Sequence, residues 1–162
     1  MKLTSEQRRR NMASIHSKNT KPELIVRKYL WLHGFRYRLN SPRLPGHPDI
    51  VLRKYRTCVF VNGCFWHGHE GCKYFRMPRT NVSFWERKII RNRERDKEEQ
   101  RKLADMGWHV IVVWECQLKP DKREKTLASL AFTLNHIYLQ DHTIAYQRME
   151  EESGLETAAE PL

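Results

Sequence analysis

The hydrophobic positions of this chain fall into short β-rich runs, separated by turns and by longer charged segments. Residues 35–39, 49–52 and 57–61 are three such runs, and a tight basic turn at residues 53–56 separates the second from the third. A fourth run, residues 108–114, is rich in β-branched residues and predicts a strand buried on both faces. The pattern therefore predicts four strands, three early in the chain and one late.

Helix starts are marked by the capping-box pattern, in which a small polar side chain and a Glu or Gln three residues later satisfy free backbone N–H groups. The pattern begins four times, at Thr4, Thr20, Ser83 and Asp121. The second helix is predicted to reach His33 and the third to cover residues 84–106, each followed by a glycine that suits a left-handed stop. The order of helix, three strands, helix, strand and helix predicts an α/β fold with a mixed sheet covered by helices.

Basic residues are concentrated in the first 148 positions. The 162 residues include 30 Lys and Arg against 19 Asp and Glu, a net charge of +11. Five of the acids follow residue 148, which leaves residues 1–148 with 30 basic and 14 acidic side chains, a net charge of +16. We expect one domain over 1–148, with a basic N-terminal segment over about 1–19, and an acidic disordered tail over 149–162. Such a basic body favours nucleic acid as a partner, although a solubilising surface has the same signature.

The sequence has no run of about 18 apolar residues and no apolar signal segment near its first residue. We therefore expect a cytoplasmic protein without a membrane partner. In that reducing compartment the four cysteines are better interpreted as metal ligands or buried thiols than as disulfides.

One loop carries cysteine and histidine at metal-ligand spacing. Cys64, His69 and Cys72 have the pattern C-x4-H-x2-C, and Cys116 follows far downstream. Three thiolates and one imidazole make a closed tetrahedral set suited to structural zinc. Cys58 lies within a predicted strand and is expected to be an inert buried thiol. The alternative is that all four cysteines are core residues and that His69 is a surface histidine.

A carboxylate and a histidine are candidates for chemistry. Asp49 begins a predicted strand, and the hairpin returns to the loop that holds His67. A carboxylate can hold a hard cation and an imidazole can take a proton from water, which suits metal-assisted hydrolysis. The alternative is that Asp49 is an ordinary turn or cap residue. Phe65 and Trp66 lie in the glycine-rich loop and Trp85 opens the long basic helix. Rings beside positive charge can wedge between base pairs, and the alternative is a satellite hydrophobic cluster.

Four sequence runs resemble those of the very-short-patch-repair (Vsr) mismatch endonucleases. They are Gly-Cys-Phe-Trp-His at residues 63–67, Leu-Pro-Gly-His-Pro-Asp at 44–49, Asn-Arg-Glu-Arg-Asp at 92–96 and Val-Trp-Glu-Cys at 113–116. The similarity covers about residues 8–118. It departs from the family at Asn62, where the family has a histidine, and in a zinc loop that is one residue longer. The resemblance implies a restriction-endonuclease-like α/β core with structural Zn²⁺ and catalytic Mg²⁺.

The resemblance also implies roles for individual residues. Asp49 would bind magnesium together with the carbonyl oxygen of Val61, His67 would activate water, and Glu23 and Asp96 would hold metal-bound waters. The implied zinc ligands are Cys64, His69, Cys72 and Cys116. The implied DNA-binding residues are the wedge of Phe65, Trp66 and Trp85. Separately from the resemblance, the positive charges of Arg87, Lys88 and Arg91 on the long helix are expected to contact phosphates.

The function implied is nicking of one strand 5′ to the thymine of a T:G mismatch, which starts very short patch repair of deaminated 5-methylcytosine. The partners would be duplex DNA carrying the mismatch, a cytosine-5 DNA methyltransferase and the repair synthesis machinery. The enzyme would be a bacterial-type, cytoplasmic monomer, associated with the nucleoid when acting. Two alternatives stay open: a non-catalytic zinc module that binds nucleic acid, and a general restriction or structure-specific nuclease.

Overall fold

The computed structural model describes residues 2–13 and 18–158. Its helices are α1 (Ser5–Ala13), α2 (Lys21–Leu32), α3 (Val82–Asp105) and α4 (Arg123–Ala158), and its strands are β1 (Arg38–Leu39), β2 (Ile50–Leu52), β3 (Thr57–Asn62) and β4 (His109–Trp114). A short 3₁₀ helix, Glu115–Leu118, connects β4 to α4. The predicted α/β order is confirmed.

The four strands form one mixed sheet in the order β1-β2-β3-β4. The first three are antiparallel neighbours, and β4 runs parallel to β3 with Thr57 opposite His109 and Asn62 opposite Trp114. Because β2 runs opposite to β3, the residue before β2 lies at the same end of the sheet as the last residues of β3 and β4. That end of the sheet carries the candidate site.

Alternating strand residues feed two cores, one on each face of the sheet. On one face Ile50, Leu52 and Val59 pack with residues of α2 and α4, including the fully buried Leu30 and Leu134. On the other face the partners come from β2, β3 and α3, namely Val51, Cys58 and Leu103. The helices therefore cover both faces, as the order of elements predicts.

The prediction that residues 108–114 form a strand buried on both faces is wrong. β4 is an edge strand, and of its six residues only Val113 is buried. The strands with neighbours on both sides are β2 and β3, and five of the six residues of β3 are buried. An apolar β-branched run favours a strand but does not say where the strand lies in the sheet order. β1 is also shorter than the predicted run of residues 35–39.

The predicted helix ends agree with the structure at most positions. The Thr4 and Gln7 side chains each accept a hydrogen bond from the other residue's backbone N–H, at 3.2 and 2.9 Å, which confirms the first capping box. Gly34 and Gly107 have φ of +85° and +86°, as left-handed stops require. The capping box predicted at Ser83 is wrong, because α3 begins at Val82 after a left-handed Asn81 without a side-chain cap.

Helix α4 extends farther than the sequence suggests. Residues 149–158 belong to α4, where the sequence analysis expects a disordered acidic tail, and residues 159–162 lie outside the described part. Glutamate is a good helix former, so the composition that suggests disorder also permits the helix to continue. None of the described helices is both long enough and apolar enough to span a bilayer.

Candidate functional site

A cleft of about 880 Å³ opens at the end of the sheet where β2 begins and β3 ends. Its walls come from α2, from the loop before β2 and from the loop that follows β3. The candidate residues that line it are Glu23, Asp49, Val61, Trp66 and His67. The fold thus brings the first turn of α2 together with the β2–β3 hairpin and the loop that follows it.

Asp49 is held at the floor of this cleft by the end of β3. The backbone N–H of Val61 donates to Asp49 Oδ2 at 2.7 Å. Burial raises the pKa of Asp49 to about 6, the Val61 hydrogen bond opposes the rise, and the nearby charge of Glu23 adds to it. In an antiparallel ladder the N–H and C=O of one residue face the same neighbour, so the Val61 carbonyl also faces the Asp49 side of β3. Asp49 and this carbonyl offer oxygen donors of the kind that hard cations prefer.

Glu23 lines the cleft from the first turn of α2 and is almost fully buried. Its Oε2 accepts hydrogen bonds from the Asn19 backbone and from Arg27, each at 3.0 Å. Sequence reasoning finds Glu23 but misses both partners. The available signal was the i,i+4 spacing of Glu23 and Arg27 on one helix, which is common and ordinarily marks a surface ion pair.

His67 faces the cleft, and Asp96 of α3 lies behind it. His67 Nδ1 and Asp96 Oδ2 are 2.6 Å apart, which assigns the donated proton to Nδ1 and leaves Nε2 for the cleft. Asp96 is not among the described residues that line the cleft. The expectation that Asp96 holds metal-bound water therefore differs from its observed contact, which is with His67.

Helix α3 also fixes the loop that carries His67. Asn92 donates to the Trp66 carbonyl and Arg93 donates to the Gly68 carbonyl, both at 2.8 Å. Gly68 has φ of +58°, and a Cβ there would lie 2.5 Å from both Arg93 and Ile89. Only glycine fits this close approach of the loop to the helix.

The predicted zinc ligands form one cluster. One ligand atom from each of Cys64, His69, Cys72 and Cys116 lies within 4.8 Å of the others. His69 stacks on Trp114 with ring centroids 3.9 Å apart, which orients the imidazole. Burial raises the pKa of the Cys64 thiol to about 12, so a bound cation is what would keep this sulfur as a thiolate. Cys58 is fully buried in the other core and is not part of the cluster.

The three predicted wedge residues contact one another beside the cleft. The Phe65 ring centroid lies 5.2 Å from that of Trp66 and 5.3 Å from that of Trp85, and the two tryptophans are 5.9 Å apart. All three rings are partly exposed, and Trp66 also lines the cleft. The Lys88 ammonium lies between 5.6 and 5.8 Å from the rings of Trp66, Phe84 and Trp85. The other two predicted phosphate contacts, Arg87 and Arg91, are exposed on α3.

The chain is similar in sequence to proteins named as DNA mismatch endonucleases and as nicking enzymes. The family model described as DNA mismatch endonuclease Vsr matches residues 1–73. The type II nicking enzyme V.NmeAIP of Neisseria meningitidis serogroup A is 53% identical over 117 residues, which cover 72% of this chain and 83% of that protein. The chain belongs to the Vsr family. Two further relatives are the Vsr DNA mismatch endonuclease of Escherichia coli K12, 40% identical over 112 residues (69% of this chain, 71% of the relative), and V.NaeI of Lentzea aerocolonigenes, 36% identical over 135 residues (80% and 78%).

Membership in the Vsr family confirms the predicted DNA endonuclease. The part matched by the Vsr family model contains Glu23, Asp49 and His67 as well as Cys64 and Cys72. Asp96, Trp85 and Cys116 lie beyond residue 73. The structure brings these later residues into contact with the matched part, through the His67–Asp96 pair, the ring cluster and the metal-ligand cluster.

Proposed function

We propose that this endonuclease nicks one strand of duplex DNA immediately 5′ to the thymine of a T:G mismatch by magnesium-dependent hydrolysis, leaving a 5′-phosphate. The observation that carries the proposal is one cleft lined both by a carboxylate, Asp49, and by a histidine, His67, whose Nδ1 is bonded to a second carboxylate. The aromatic cluster at the rim of the same cleft supports DNA as the occupant.

The donor set in the cleft fits magnesium. Asp49 Oδ1 and Oδ2, the Val61 carbonyl and the carboxylate of Glu23 are all oxygen donors, which Mg²⁺ requires, and no sulfur is among them. Asp49 and Val61 would hold the cation, with Glu23 beside them. When bound, Mg²⁺ supplies charge stabilisation at the phosphate and at the leaving oxygen.

His67 would act as the general base. Its Nε2 would take a proton from the attacking water, and the imidazolium so formed would be stabilised by Asp96 through Nδ1. The water oxygen would then form the new bond to phosphorus while the 3′-oxygen leaves. Asp96 would thus position His67 and stabilise its charged form without contacting the DNA.

Replacing Asp96 by Asn should lower the single-turnover nicking rate at least about 100-fold, because an amide neither fixes the His67 tautomer nor stabilises imidazolium. The matched control is Glu98→Gln on the same helix, whose carboxylate binds Arg101 at the surface. Equal rates for Asp96→Asn and the wild type would remove Asp96 from this role.

The second metal site would hold structural zinc. Three thiols and one imidazole leave no open coordination position, so zinc would fold the loop and not take part in hydrolysis. This loop carries His67 and two of the three wedge residues, Phe65 and Trp66. Zinc would therefore support both the base and the recognition surface.

Recognition of the mismatch would come from the rings, and affinity from the positive charges. A T:G pair is easier to unstack than a Watson-Crick pair, so Phe65, Trp66 and Trp85 would gain more at the mismatch. Contacts of Arg87, Lys88 and Arg91 with phosphates would strengthen binding to all DNA alike.

Replacing Trp66 by Ala should reduce the ratio of T:G affinity to paired-duplex affinity about ten-fold, since one base stack is worth roughly 1–3 kcal/mol. Arg91→Ala should instead weaken both duplexes equally and reduce the salt slope by about one. Measuring the affinity of both variants for both duplexes over a salt series checks that the rings give mismatch recognition and the positive charges give general affinity. A Trp66→Ala variant of normal stability with an unchanged ratio would assign that ring to packing alone.

The decisive experiment for the function is a nicking assay on matched T:G and fully paired duplexes with and without magnesium. We expect a single nick, in the T-containing strand, only with magnesium and only in the T:G duplex. Binding without cleavage would favour a non-catalytic module, and cleavage of both duplexes would favour a general nuclease.

We further propose the setting of this activity. The mixed sheet would be a restriction-endonuclease-like core in a single domain over residues 1–148, with residues 1–19 as a basic segment. The enzyme would act as a monomer on bacterial DNA in the cytoplasm, on thymines left by deamination of 5-methylcytosine. It would accompany a cytosine-5 methyltransferase and deliver its nicks to repair synthesis.

A further inference from the structure

Three residues form a closed ring of hydrogen bonds behind the wall of the cleft. Arg27 Nη2 donates to Glu23 Oε2 at 3.0 Å, and Arg27 Nη1 donates to Asn19 Oδ1 at 2.7 Å. The Asn19 backbone N–H closes the ring by donating to the same Glu23 oxygen at 3.0 Å. The carboxylate of Glu23 is therefore held by two donors that are themselves joined.

This ring is too buried to be an ordinary surface ion pair. The side chains of Arg27 and Glu23 are only 10% and 3% exposed. Arg27 Nε has no hydrogen-bond partner among the described residues. A buried guanidinium with an unmet donor adds little to stability, because the loss of hydration offsets the attraction between the charges. Its position next to the cleft suggests a different purpose.

Only one member of the ion pair reaches the cleft. Among the described residues Glu23 lines the cleft and Arg27 does not. Arg27 thus lies behind Glu23 as Asp96 lies behind His67. Its planar fork binds Glu23 and Asn19 at once, which fixes the rotation of the carboxylate in a way that a single ammonium group does not.

We propose that Arg27 is a positioning residue, which holds Glu23 in one orientation so that the carboxylate can serve the cation in the cleft. The inference rests on the proposed function in one respect, the presence of a divalent cation beside Asp49. Arg27 itself touches neither cation nor DNA. Its action would pass entirely through Glu23.

A nearby arginine can have two physical roles, and its removal changes the affinity for a divalent cation in opposite directions in the two cases. If Arg27 acted only as a positive charge near the cleft, its removal would tighten the binding of a divalent cation. If Arg27 positions Glu23, its removal would weaken that binding, typically by about ten-fold or more for a residue that orients a ligand. Cation binding therefore separates the two roles without any measurement of activity.

The experiment measures Mn²⁺ binding to the zinc-loaded full chain by electron paramagnetic resonance. Arg27→Gln and Glu23→Gln should each weaken Mn²⁺ binding about ten-fold. The matched control Arg53→Gln removes the same charge from the exposed β2–β3 turn, at the far end of the sheet, and should leave binding unchanged. Unchanged or tighter binding by Arg27→Gln would overturn the proposal.

Two further variants protect the test from a folding defect. Arg27→Lys keeps the charge but loses the fork, and should bind Mn²⁺ with an affinity between those of the wild type and Arg27→Gln. The double variant Glu23→Gln with Arg27→Gln leaves no unpaired buried charge, and it should bind Mn²⁺ as Glu23→Gln does. A further loss in the double variant would mean that Arg27 acts by another route, and would overturn the proposal.

Nicking of a T:G duplex by the same variants keeps this inference distinct from the proposed function. Arg27→Gln should nick about ten-fold more slowly than the wild type at saturating magnesium. The double variant Glu23→Gln with Arg27→Gln should nick no more slowly than Glu23→Gln alone. If the wild type does not nick, the proposed function fails, but the order of Mn²⁺ affinities among the variants still tests the positioning role of Arg27. If the wild type nicks but the affinities do not differ, only the role of Arg27 fails.

Discussion

Replacing Asp49 by Asn is expected to abolish nicking and, above pH 6, to make the folded protein more stable. A carboxylate that holds a catalytic cation contributes several kcal/mol of transition-state stabilisation, so we expect a loss of at least about a thousand-fold in rate. An amide oxygen can still accept the hydrogen bond from the Val61 N–H, now 2.7 Å from Asp49 Oδ2, so the end of β3 should keep its place.

The expected gain in stability follows from the pKa of Asp49. Burial raises that pKa from 3.8 to about 6, so the ionised carboxylate is less favourable in the folded chain than in the unfolded chain. This cost is absent below pH 3.8, grows as the pH rises towards 6 and is complete above it. Asparagine carries no charge, and its advantage in unfolding free energy should reach about 1–2 kcal/mol at pH 8, after allowance for residual solvation.

Thermal unfolding of zinc-loaded Asp49→Asn and zinc-loaded wild type, without added magnesium, checks this at pH 5 and pH 8. The difference in Tm should be a few degrees at pH 8 and smaller at pH 5. Glu94→Gln, which neutralises an exposed carboxylate on α3, should leave Tm nearly unchanged at both pH values. An equal or lower Tm for Asp49→Asn at pH 8 would contradict the burial cost assigned to this carboxylate.

The combined result would express a trade-off between stability and activity. The chain keeps an acidic group in a place where burial and the charge of Glu23 both disfavour it. A bound cation would reverse that penalty, which is why such strained groups concentrate at functional sites.

The sequence predicts those parts of the fold that depend on local chemistry. Gly34 and Gly107 end their helices as expected, because left-handed backbone favours glycine wherever it occurs. The position of β4 at the sheet edge was not predictable, since strand order is set by packing between elements far apart in the sequence. An apolar run such as residues 108–114 is compatible with a strand at the edge of the sheet and with one at its centre.

For the candidate site, too, the sequence predicts some features and not others. Asp49 and His67 could be found because each stands in a distinctive short run, but their supporting contacts could not. His67 and Asp96 are 29 positions apart and Asp49 and Val61 are 12 apart, so only the folded chain shows these bonds. Arg27 was missed for a different reason. Its spacing from Glu23 is visible in the sequence, but the burial that distinguishes the pair from a surface ion pair is not.

Two cysteines offer the sharpest test of the proposed zinc site, because burial and ligation predict opposite orders for the cost of replacing them. Cys58 is fully buried in a core, whereas Cys116 is partly exposed. By burial alone Cys58→Ala should be the costlier substitution, at about 1 kcal/mol for the loss of one buried heavy atom.

Ligation reverses that expectation. Structural zinc contributes roughly 10 kcal/mol or more to folding, so Cys116→Ala, which removes one ligand of the cluster, should cost at least about 4 kcal/mol. The corresponding falls in Tm are about 3 °C for Cys58→Ala and more than about 10 °C for Cys116→Ala. Metal analysis should find one zinc per chain in the wild type and in Cys58→Ala, and less in Cys116→Ala. A strong chelator should then lower the Tm of the wild type and Cys58→Ala but barely change that of Cys116→Ala. If Cys58→Ala is the less stable variant, or if the chelator destabilises all three proteins equally, the cluster of Cys64, His69, Cys72 and Cys116 is not the metal site that folds this loop.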